Sequence, residues 1–209
     1  MSDEPDKPFA FSRQGILFFL SAPSGAGKTT LSHQLLQQVD NLRPSVSYTT
    51  RPPRPGEVDG REYHFISEAA FRQLQQQHAF AEWAHVHDFF YGTARAPLEE
   101  ALERGADLLL DIDVQGVKQL KPLYPTASVA IFILPPSWDE LERRLRGRGT
   151  DSNEVIMRRL RRAREEAREL AMYDYCIVND QVDRAVTTLQ AIVIAERARV
   201  ARLHERTLA

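Results

Sequence analysis

The sequence predicts an α/β protein in which a parallel sheet is flanked by helices and interrupted by an inserted lobe. Short continuous apolar runs at Ile16 to Leu20, Ala106 to Asp113 and Ser128 to Leu134 are typical of buried parallel strands. Segments with helical spacing of apolar residues separate these runs, which favours a sheet covered on both faces. Residues 45–93 are instead rich in Thr, Pro, Tyr, Phe and Gly, and they predict a lobe of short strands.

The composition indicates a cytoplasmic protein with one domain. The chain has 209 residues, of which 43% are hydrophobic and 27% charged, and its net charge is -2, so it can bury one sizeable core. The single cysteine, Cys176, excludes an intramolecular disulfide and suits a reducing compartment. Residues 1–14 are polar and acidic, which predicts a flexible tail and not a signal peptide. The apolar run after them is too short to span a bilayer, so we expect no membrane partner.

The first predicted strand leads through a glycine-rich turn into a helix. Pro44 ends the helical pattern, because proline cannot continue a helix. Within the lobe, one further helix is predicted near Ser67 to His78. The apolar face of the first helix is formed by Leu31, Leu35, Leu36 and Val39.

The alternation of strands and helices resumes after the lobe. Pro97 stands where a first helical position is expected, and Gly105 where that helix would end. After the strands at 106–113 and 128–134, Ser137 and Glu140 have the spacing of a capping box, which predicts the start of another helix.

The C-terminal third contains two more predicted helices and a strand. Asp151 and Glu154 again have the spacing of a capping box, here before a helix rich in Arg and Glu that extends to about Leu170. Tyr175 to Val178 is a short apolar run and predicts the last strand of the sheet. The apolar face of the C-terminal helix is formed by Val182, Val186, Leu189 and Val193.

Between the first predicted strand and helix lies the segment Ala22-Pro23-Ser24-Gly25-Ala26-Gly27-Lys28-Thr29. This is the context that a phosphate-binding loop requires, because its glycines let backbone N–H groups and a helix N-terminus surround an anion. Lys28 would place a charge at the β- and γ-phosphates, and the Thr29 hydroxyl would bind Mg²⁺. Ala22 departs from the glycine that often begins this motif. The loop indicates a nucleoside triphosphate site but leaves the reaction open.

A second cluster suited to phosphate lies in the lobe, between Ser47 and Tyr63. Arg51 and Arg54 stand among prolines, glycines and hydroxyl side chains that would stiffen the backbone around forked guanidinium donors. Arginines in such a loop are also common on a solvated surface, so the residues alone leave both interpretations open.

The whole stretch from Ser47 to Tyr63 resembles the GMP-binding signature of guanylate kinases. The resemblance covers nearly the whole chain after the tail and implies a phosphate-loop core that uses ATP with Mg²⁺ to phosphorylate GMP or dGMP. It divides residues 15–209 into a core at 15–44 and 94–209, a GMP-binding lobe at 45–93 and a lid at about 142–156. The similarity continues through the region of Trp83, Tyr91-Gly92-Thr93, Asp111-Ile112-Asp113, Leu145-Arg146-Gly147-Arg148-Gly149 and Val178-Asn179-Asp180.

The resemblance also implies a role for each matching residue. The GMP phosphate would be held by Arg51, Arg54, Tyr63 and Tyr91. The guanine base would be recognised by Ser47, Glu82, Thr93 and Asp113. The transferring group would be surrounded by Lys28, Arg144, Arg148 and Arg159, and the donor base would contact Asn179. Phe90-Tyr91-Gly92 differs from the Tyr-Tyr-Gly that is frequent in the family, but the aligned phosphate-binding tyrosine is kept.

The chemistry of these side chains agrees with guanine. Guanine has N–H donors at N1 and N2, and carboxylates only accept, so Glu82 and Asp113 suit it, while the hydroxyl of Ser47 or Thr93 can donate to O6. Glu82 in an edge strand could also reach solvent. Asp111 is assigned to the Mg²⁺ site, although a helix-capping role would also explain it.

Ten arginines fall between Arg143 and Arg168. Arg148, between two glycines, has the setting of a charge on a flexible lid. Most arginines of the following helix are interpreted as a solvated face paired with Glu165, Glu166 and Glu169, with Arg159 as the exception. No aromatic residues are interleaved with them, so we expect no nucleic-acid partner.

Two other functions remain as alternatives. Guanylate-kinase-like domains that have lost catalysis bind phosphopeptides, but this chain keeps Lys28, Thr29 and the lid arginines. A phosphate-loop kinase for AMP or a phosphorylated sugar is the other, and the pair Glu82 and Asp113 favours guanine over it. The oligomeric state is left open, a homo-oligomer included.

Overall fold

A central parallel sheet of five strands organises the protein, in a computed structural model that describes residues 11–86, 88–147, 149 and 151–205. The predicted α/β fold with an inserted lobe is confirmed. The strands are β1 (Phe11–Arg13), β2 (Leu17–Ser21), β3 (Leu42–Pro44), β4 (Ser47–Thr49), β5 (Tyr63–Phe65), β6 (Phe80–Val86), β7 (Phe89–Ala94), β8 (Asp107–Asp111), β9 (Ser128–Leu134), β10 (Tyr175–Val178) and β11 (Leu203–Glu205).

Seven helices are described, and several of them cover the two faces of this sheet. Two short 3₁₀ turns, Leu170–Met172 and Val200–Arg202, follow the last two helices. Within the described ranges, no helix has the length and apolar character needed to cross a membrane. The helices are α1 (Lys28–Gln38), α2 (Glu68–Gln76), α3 (Arg95–Glu103), α4 (Val114–Leu120), α5 (Trp138–Gly147), α6 (Asn153–Arg168) and α7 (Val182–Arg197).

The central sheet has the strand order β10-β9-β2-β8-β3, and every pair in it is parallel. In this register Leu20 lies opposite both Asp111 and Ile131, so the carboxyl ends of β2 and β8 meet at one edge. Ligands bind beyond this edge in open α/β sheets. The phosphate-binding loop and the Asp111–Asp113 segment both follow that edge directly.

Burial on both faces of the sheet explains why the first four residues of β2, Leu17 to Leu20, are all apolar. Phe18 and Leu20 point into a core formed with α1 and α7, whereas Leu17 and Phe19 point into a second core formed with α3 and α4. A strand buried on both faces cannot alternate apolar with polar residues. The first core also contains Leu31, Leu35 and Val39 of the predicted helical face.

The lobe is a separate sheet of order β5-β4-β7-β6 with helix α2 packed on it. Phe71 and Phe80 stack with ring centroids 4.4 Å apart, and Phe90 completes this small core. Gly92 lies directly beneath the rings, because a Cβ there would approach Phe80 to 3.0 Å and Phe71 to 3.1 Å. The lobe therefore has apolar packing of its own beside the sheet that holds the phosphate-binding loop.

A buried carboxylate joins strand β1 and helix α7 to the central sheet. Asp107, at the start of β8, is fully buried and accepts two hydrogen bonds from Arg13 at 2.6 and 2.7 Å. It also accepts from Arg197 at 2.7 Å and from the Ile16 backbone at 3.0 Å. Asp107 thereby ties the first strands and α7 to the central sheet.

Three sequence predictions about element boundaries are wrong. Strand β8 ends at Asp111 and not at Asp113, because Asp113 caps α4, a helix that the sequence analysis did not predict. Helix α3 begins at Arg95, so Pro97 occupies its third position. Helix α6 is capped by Ser152, whose hydroxyl accepts from the Val155 backbone, and the expected Asp151–Glu154 box does not form its cap.

The capping box at Ser137 forms only in part. Its hydroxyl accepts from the Glu140 backbone at 3.0 Å, as predicted. The Glu140 carboxylate instead accepts from Arg143 and Arg144, and these two guanidiniums lower its pKa to about 2. The predicted strands at 128–134 and 175–178 are confirmed residue for residue.

Candidate active site

The phosphate-binding loop takes the shape that its glycines allow. Gly25 and Gly27 have φ values of 94° and 97°, in the left-handed region that favours glycine. The Ala26 backbone donates to the Pro23 carbonyl at 3.0 Å, which closes the turn before α1 begins at Lys28. The loop therefore leads directly into the N-terminus of α1, where unpaired N–H groups favour an anion.

A cavity of about 550 Å³ opens in front of this loop, and we call it the donor cavity. Its far wall is helix α6. It is lined by Ala22, Pro23, Ser24, Gly25, Gly27, Lys28, Thr29, Thr30, Asp113, Arg158, Arg159, Arg162, Ala163 and Glu166.

Lys28 stands between this cavity and a second one. Its ammonium group forms an ion pair with Asp111 and donates to the Ile112 carbonyl at 3.4 Å. The Asp111 side chain is 51% exposed, so the pair is accessible to solvent. Thr29 lines the donor cavity, and together with Asp111 it offers the oxygen ligands that Mg²⁺ prefers.

Asn179 lies behind the loop. It is 3% exposed, and its side-chain amide donates to the Ala26 carbonyl at 2.8 Å. Arg144 in turn donates to the backbone carbonyl of Asn179 at 3.2 Å and to Glu140 at 2.8 Å. Neither Asn179 nor Arg144 lines the donor cavity, so their expected contacts with ATP remain predictions.

The second cavity, of about 250 Å³, lies between the lobe and the sheet edge, and we call it the acceptor cavity. It brings together most of the residues that the resemblance implies for GMP. It is lined by Lys28, Ser47, Tyr63, Glu82, Ala84, Val86, Tyr91, Asp111, Ile112, Asp113 and Arg162.

Glu82 is a buried carboxylate in this cavity and is 7% exposed. The Thr93 hydroxyl donates to it at 2.6 Å, and the Ser47 and Thr93 hydroxyls are 3.3 Å apart. Burial raises the pKa of Glu82 to about 7, with the Thr93 hydrogen bond lowering it and the nearby Asp113 charge raising it. Thr93 does not line the cavity itself but holds Glu82 from behind.

Asp113 combines a structural contact with an accessible oxygen. Its Oδ1 accepts from the backbones of Gln115 and Gly116 at 2.9 and 3.0 Å, as the cap of α4. Its Oδ2 lies 3.5 Å from Arg162. Gly116 lies next to the Glu82 carboxylate, since a Cβ there would be in van der Waals contact with Glu82 Oε2 at 3.4 Å.

The end of the site expected to hold phosphate is charge-paired. Arg51 donates to Glu57 at 2.9 Å and lies 5.6 Å from the ring centroid of Tyr63, which in turn is 6.0 Å from that of Tyr91. The hydrogen bond to Glu57 is the main cause of a raised Arg51 pKa, and it also lowers the pKa of Glu57. Arg54 is exposed, and its backbone donates to Glu57 at 2.7 Å. Glu57 was not assigned from the sequence, where it is one of three acidic residues between Arg51 and Tyr63, and no local pattern marks it as the partner of Arg51.

Helix α6 brings arginines to the donor cavity. Arg159 lies 3.4 Å from the Ser24 hydroxyl of the loop and 3.3 Å from Asp151. Arg162 lines both cavities, whereas the sequence analysis placed it on a solvated face. Its spacing of three from Arg159 places both arginines on one helical face. Arg148, the predicted lid arginine, lies outside the described residues.

Comparison with known proteins agrees with this geometry. The family model described as guanylate kinase matches residues 14–196. Guanylate kinases from Syntrophotalea carbinolica and Geobacter metallireducens are 56% and 54% identical to the chain, over 91% and 92% of it and 90% and 95% of their own lengths. A crystal structure of guanylate kinase from Anaplasma phagocytophilum superposes with a TM-score of 0.78 at 32% identity, covering 93% of this chain and 92% of that one. The chain belongs to the guanylate kinase family.

Proposed function

We propose that ATP occupies the donor cavity and GMP the acceptor cavity, and that the γ-phosphoryl group passes directly between them. As a guanylate kinase, the chain is an ATP:GMP phosphotransferase. The strongest support for placing the two nucleotides in this way is that both cavities are lined by Lys28, Asp113 and Arg162. The loop lysine therefore stands where a donor and an acceptor phosphate would meet.

On the donor side, the backbone of Gly25 and Gly27 and the N-terminus of α1 bind the ATP phosphates. Lys28 exchanges Asp111 for the β- and γ-phosphates, and the solvent-accessible ion pair makes this exchange inexpensive. Thr29 and Asp111 would hold Mg²⁺, which neutralises charge on the donor phosphates when it is bound with ATP. Asn179 supports the loop from behind. Its contact with the adenine would form only when ATP is bound.

On the acceptor side, ionised Glu82 accepts from guanine N1–H and N2–H, and Asp113 accepts through Oδ2. The hydroxyl hydrogen of Thr93 is committed to Glu82. Ser47 is therefore the hydroxyl that can donate to guanine O6, by turning its hydrogen away from Thr93 Oγ1, which lies 3.3 Å from it. Adenine would present a lone pair at N1 to the carboxylate, so the site discriminates against it.

The GMP phosphate binds to four lobe side chains, with Arg51 leaving Glu57 to do so. Forked guanidinium donors match a phosphate dianion, and the tyrosine hydroxyls add further donors. Arg54 reaches the phosphate only from an exposed position, which requires its side chain to turn inward. The four side chains are Arg51, Arg54, Tyr63 and Tyr91.

Transfer itself needs positioning and neutralised charge, with no protein nucleophile and no strong base. Arg159 reaches the transferring group from α6, Arg148 from the lid at about 142–156, and Arg144 from α5. Closure of the lobe at 45–93 and of the lid over the core at 15–44 and 94–209 excludes water, so that transfer to GMP outpaces hydrolysis.

The setting of this activity is the cytoplasm, where it serves purine nucleotide metabolism and the recycling of GMP. dGMP is accepted as well, since the base is recognised in the same way. Neither nucleic acid nor a membrane is a partner. A silent phosphopeptide-binding module is disfavoured because Lys28, Thr29 and Arg159 are all present around the donor cavity.

A coupled assay over a panel of nucleoside monophosphates tests the proposal. We expect efficient phosphorylation of GMP and dGMP, an intermediate rate with IMP, which lacks the N2 amine, and a kcat/KM about 10⁴-fold lower with AMP. Binding of GMP without turnover would favour the silent module, and a preference for AMP would contradict the assignment of Glu82 and Asp113.

A further inference from the structure

Arg162 occupies a position between the two cavities that the assignments above leave unused. It lies on α6 three residues after Arg159, and the opposite face of that helix is buried through Ile156 and Leu160. Its side chain is 50% exposed and lines the donor cavity and the acceptor cavity alike. Lys28 is the other cation common to the two linings.

The contacts of Arg162 are divided between a firm partner and a loose one. Its Nε donates to Glu166 at 2.9 Å, and Glu166 is itself partly buried, at 17% exposure of its side chain. Its Nη2 lies 3.5 Å from Asp113 Oδ2, beyond the usual length of a charge-assisted hydrogen bond. Glu166 thus holds the Nε of the guanidinium, while Nη2 lies near Asp113, a residue that lines both cavities.

The loose contact is formed with an oxygen that GMP would engage. If Asp113 Oδ2 accepts from the guanine amine, that oxygen gains a new donor. Arg162 can then leave it at a small cost in free energy, because their 3.5 Å contact is weak. The guanidinium then has free N–H groups at the two cavities that Lys28 also lines. Charge develops on the phosphoryl oxygens at this junction during transfer. Hydrogen-bond donors already in place there stabilise that charge in the transition state.

We propose that Arg162 is a further catalytic arginine of this enzyme, which donates to the transferring phosphoryl group once both nucleotides are bound. This inference rests on the proposed function. It distinguishes Arg162 from its neighbours on α6: Arg161 is exposed and lines neither cavity, and Arg164 packs over the Trp138 ring at 5.7 Å.

The test compares Arg162→Met with Arg162→Lys, and with Arg161→Met as the matched control. Steady-state kinetics are measured together with equilibrium affinities for GMP, for a non-hydrolysable ATP analogue, and for a ligand in which adenosine and guanosine are joined by a polyphosphate. Arg162→Met should lower kcat by about 10- to 100-fold, somewhat less than removal of a fully buried donor. Arg162→Lys should restore part of this rate, because it keeps the charge and loses the fork.

The affinities separate a catalytic role from a structural one. Arg162→Met should change the affinity for GMP or the ATP analogue alone by less than about threefold, but that for the joined ligand by about tenfold or more, because only that ligand fills the junction. A loss of GMP affinity at unchanged kcat would make Arg162 a positioning residue for Asp113 and overturn the proposal. Kinetics equal to those of Arg161→Met would return it to the solvated face. A wild type that fails to phosphorylate GMP would instead refute the proposed function.

Discussion

The side-chain amide of Asn179 donates to the carbonyl oxygen of Ala26 at 2.8 Å, so a residue from beyond the edge strand β10 supports the phosphate-binding loop from behind. The contact is close enough that a Cβ on Gly27 would lie 2.3 Å from the same amide nitrogen. Arg144 extends the arrangement, because it donates to the Asn179 carbonyl at 3.2 Å. The shape of the loop thus depends on a residue distant in sequence.

Asn179→Ala should weaken ATP binding without affecting GMP. Loss of a buried hydrogen bond should lower the free energy of unfolding by about 1 kcal/mol and raise the KM for ATP several-fold as the loop loosens. Asn179→Asp should be worse, because a carboxylate would face the Ala26 carbonyl with no hydrogen to donate. Urea unfolding and titrations with each nucleotide measure this. Equal effects on ATP and GMP affinity would contradict a role confined to the loop.

GMP binding should depend on pH through Glu82. Its pKa of about 7 means that the carboxyl is increasingly protonated below neutrality, and a protonated carboxyl can no longer accept through both oxygens. The GMP affinity of the wild type should therefore fall between pH 8 and pH 6. Glu82→Gln serves as the control, since the GMP phosphate titrates identically in both proteins. Isothermal titration at each pH decides, and parallel profiles would exclude Glu82 as the titrating group.

The same substitution should change specificity and stability. Glu82→Gln should cost about 1–3 kcal/mol in kcat/KM for GMP and narrow the ratio of GMP to AMP, because an amide can also donate to adenine N1. The folded pKa of about 7 lies above the ordinary value of 4.5, so the folded state binds more protons between these values. Glu82 should therefore make the free energy of unfolding of the wild type decrease as the pH rises from 4.5 to 7. The Glu82→Gln variant should lack this decrease.

Thr93→Val should move the pH dependence of GMP binding upward. The Thr93 hydroxyl donates to Glu82 at 2.6 Å and lowers the pKa of that carboxyl, and valine has nearly the same shape without the donor. The midpoint for GMP binding should then lie at a higher pH than in the wild type. Affinity at pH 8 should fall as well, since more of Glu82 is protonated there. An unchanged midpoint would mean that another donor stabilises the carboxylate.

Lys28→Ala should abolish transfer and leave GMP binding nearly intact. The ammonium group is needed at the donor phosphates, whereas the base is held by Glu82 and Asp113 on the other side of the junction. We expect kcat to fall by about 10³-fold or more and the affinity for GMP alone to change by less than about tenfold. Equilibrium binding of GMP, measured beside turnover, checks this. Loss of GMP affinity as severe as the loss of rate would show that Lys28 is needed to bind GMP as well as to transfer the phosphoryl group.

Asp107→Asn should destabilise the fold without altering the kinetics of the remaining folded enzyme. The carboxylate is fully buried between Arg13 and Arg197, so its removal leaves two guanidiniums without their counter-charge. We expect the free energy of unfolding to fall by about 3 kcal/mol. This is the lower end of the range for breaking a buried ion pair, because both arginines keep some contact with water. The control is Glu100→Gln, whose surface pair with Arg104 should matter by less than about 1 kcal/mol. Urea unfolding compares the two.

The sequence alone determined most of the architecture. Continuous apolar runs identified β2, β9 and β10, and the spacing of glycines around Lys28 identified the phosphate-binding loop. These features are local. A strand buried on both faces requires consecutive apolar residues, and a left-handed turn requires glycine at a fixed position. The lobe residues expected at GMP were likewise recognised from one continuous stretch and a few short motifs. They include Ser47, Tyr63, Glu82 and Tyr91, which line one cavity.

The tertiary structure decided the contacts between segments that are distant in sequence. No local pattern could pair Asn179 with Ala26, place Asp107 between strand β1 and helix α7, or set Arg162 near Asp113. Helix α4 was missed although its cap is local, because Asp113, which accepts from the Gln115 and Gly116 backbones, was interpreted as the last residue of the strand. Hydrophobic periodicity reports which side of an element is buried, but it carries no information about which other element covers that side. The identity of each partner is fixed only when the sheet order brings the carboxyl ends of β2, β8 and β10 to one edge of the molecule.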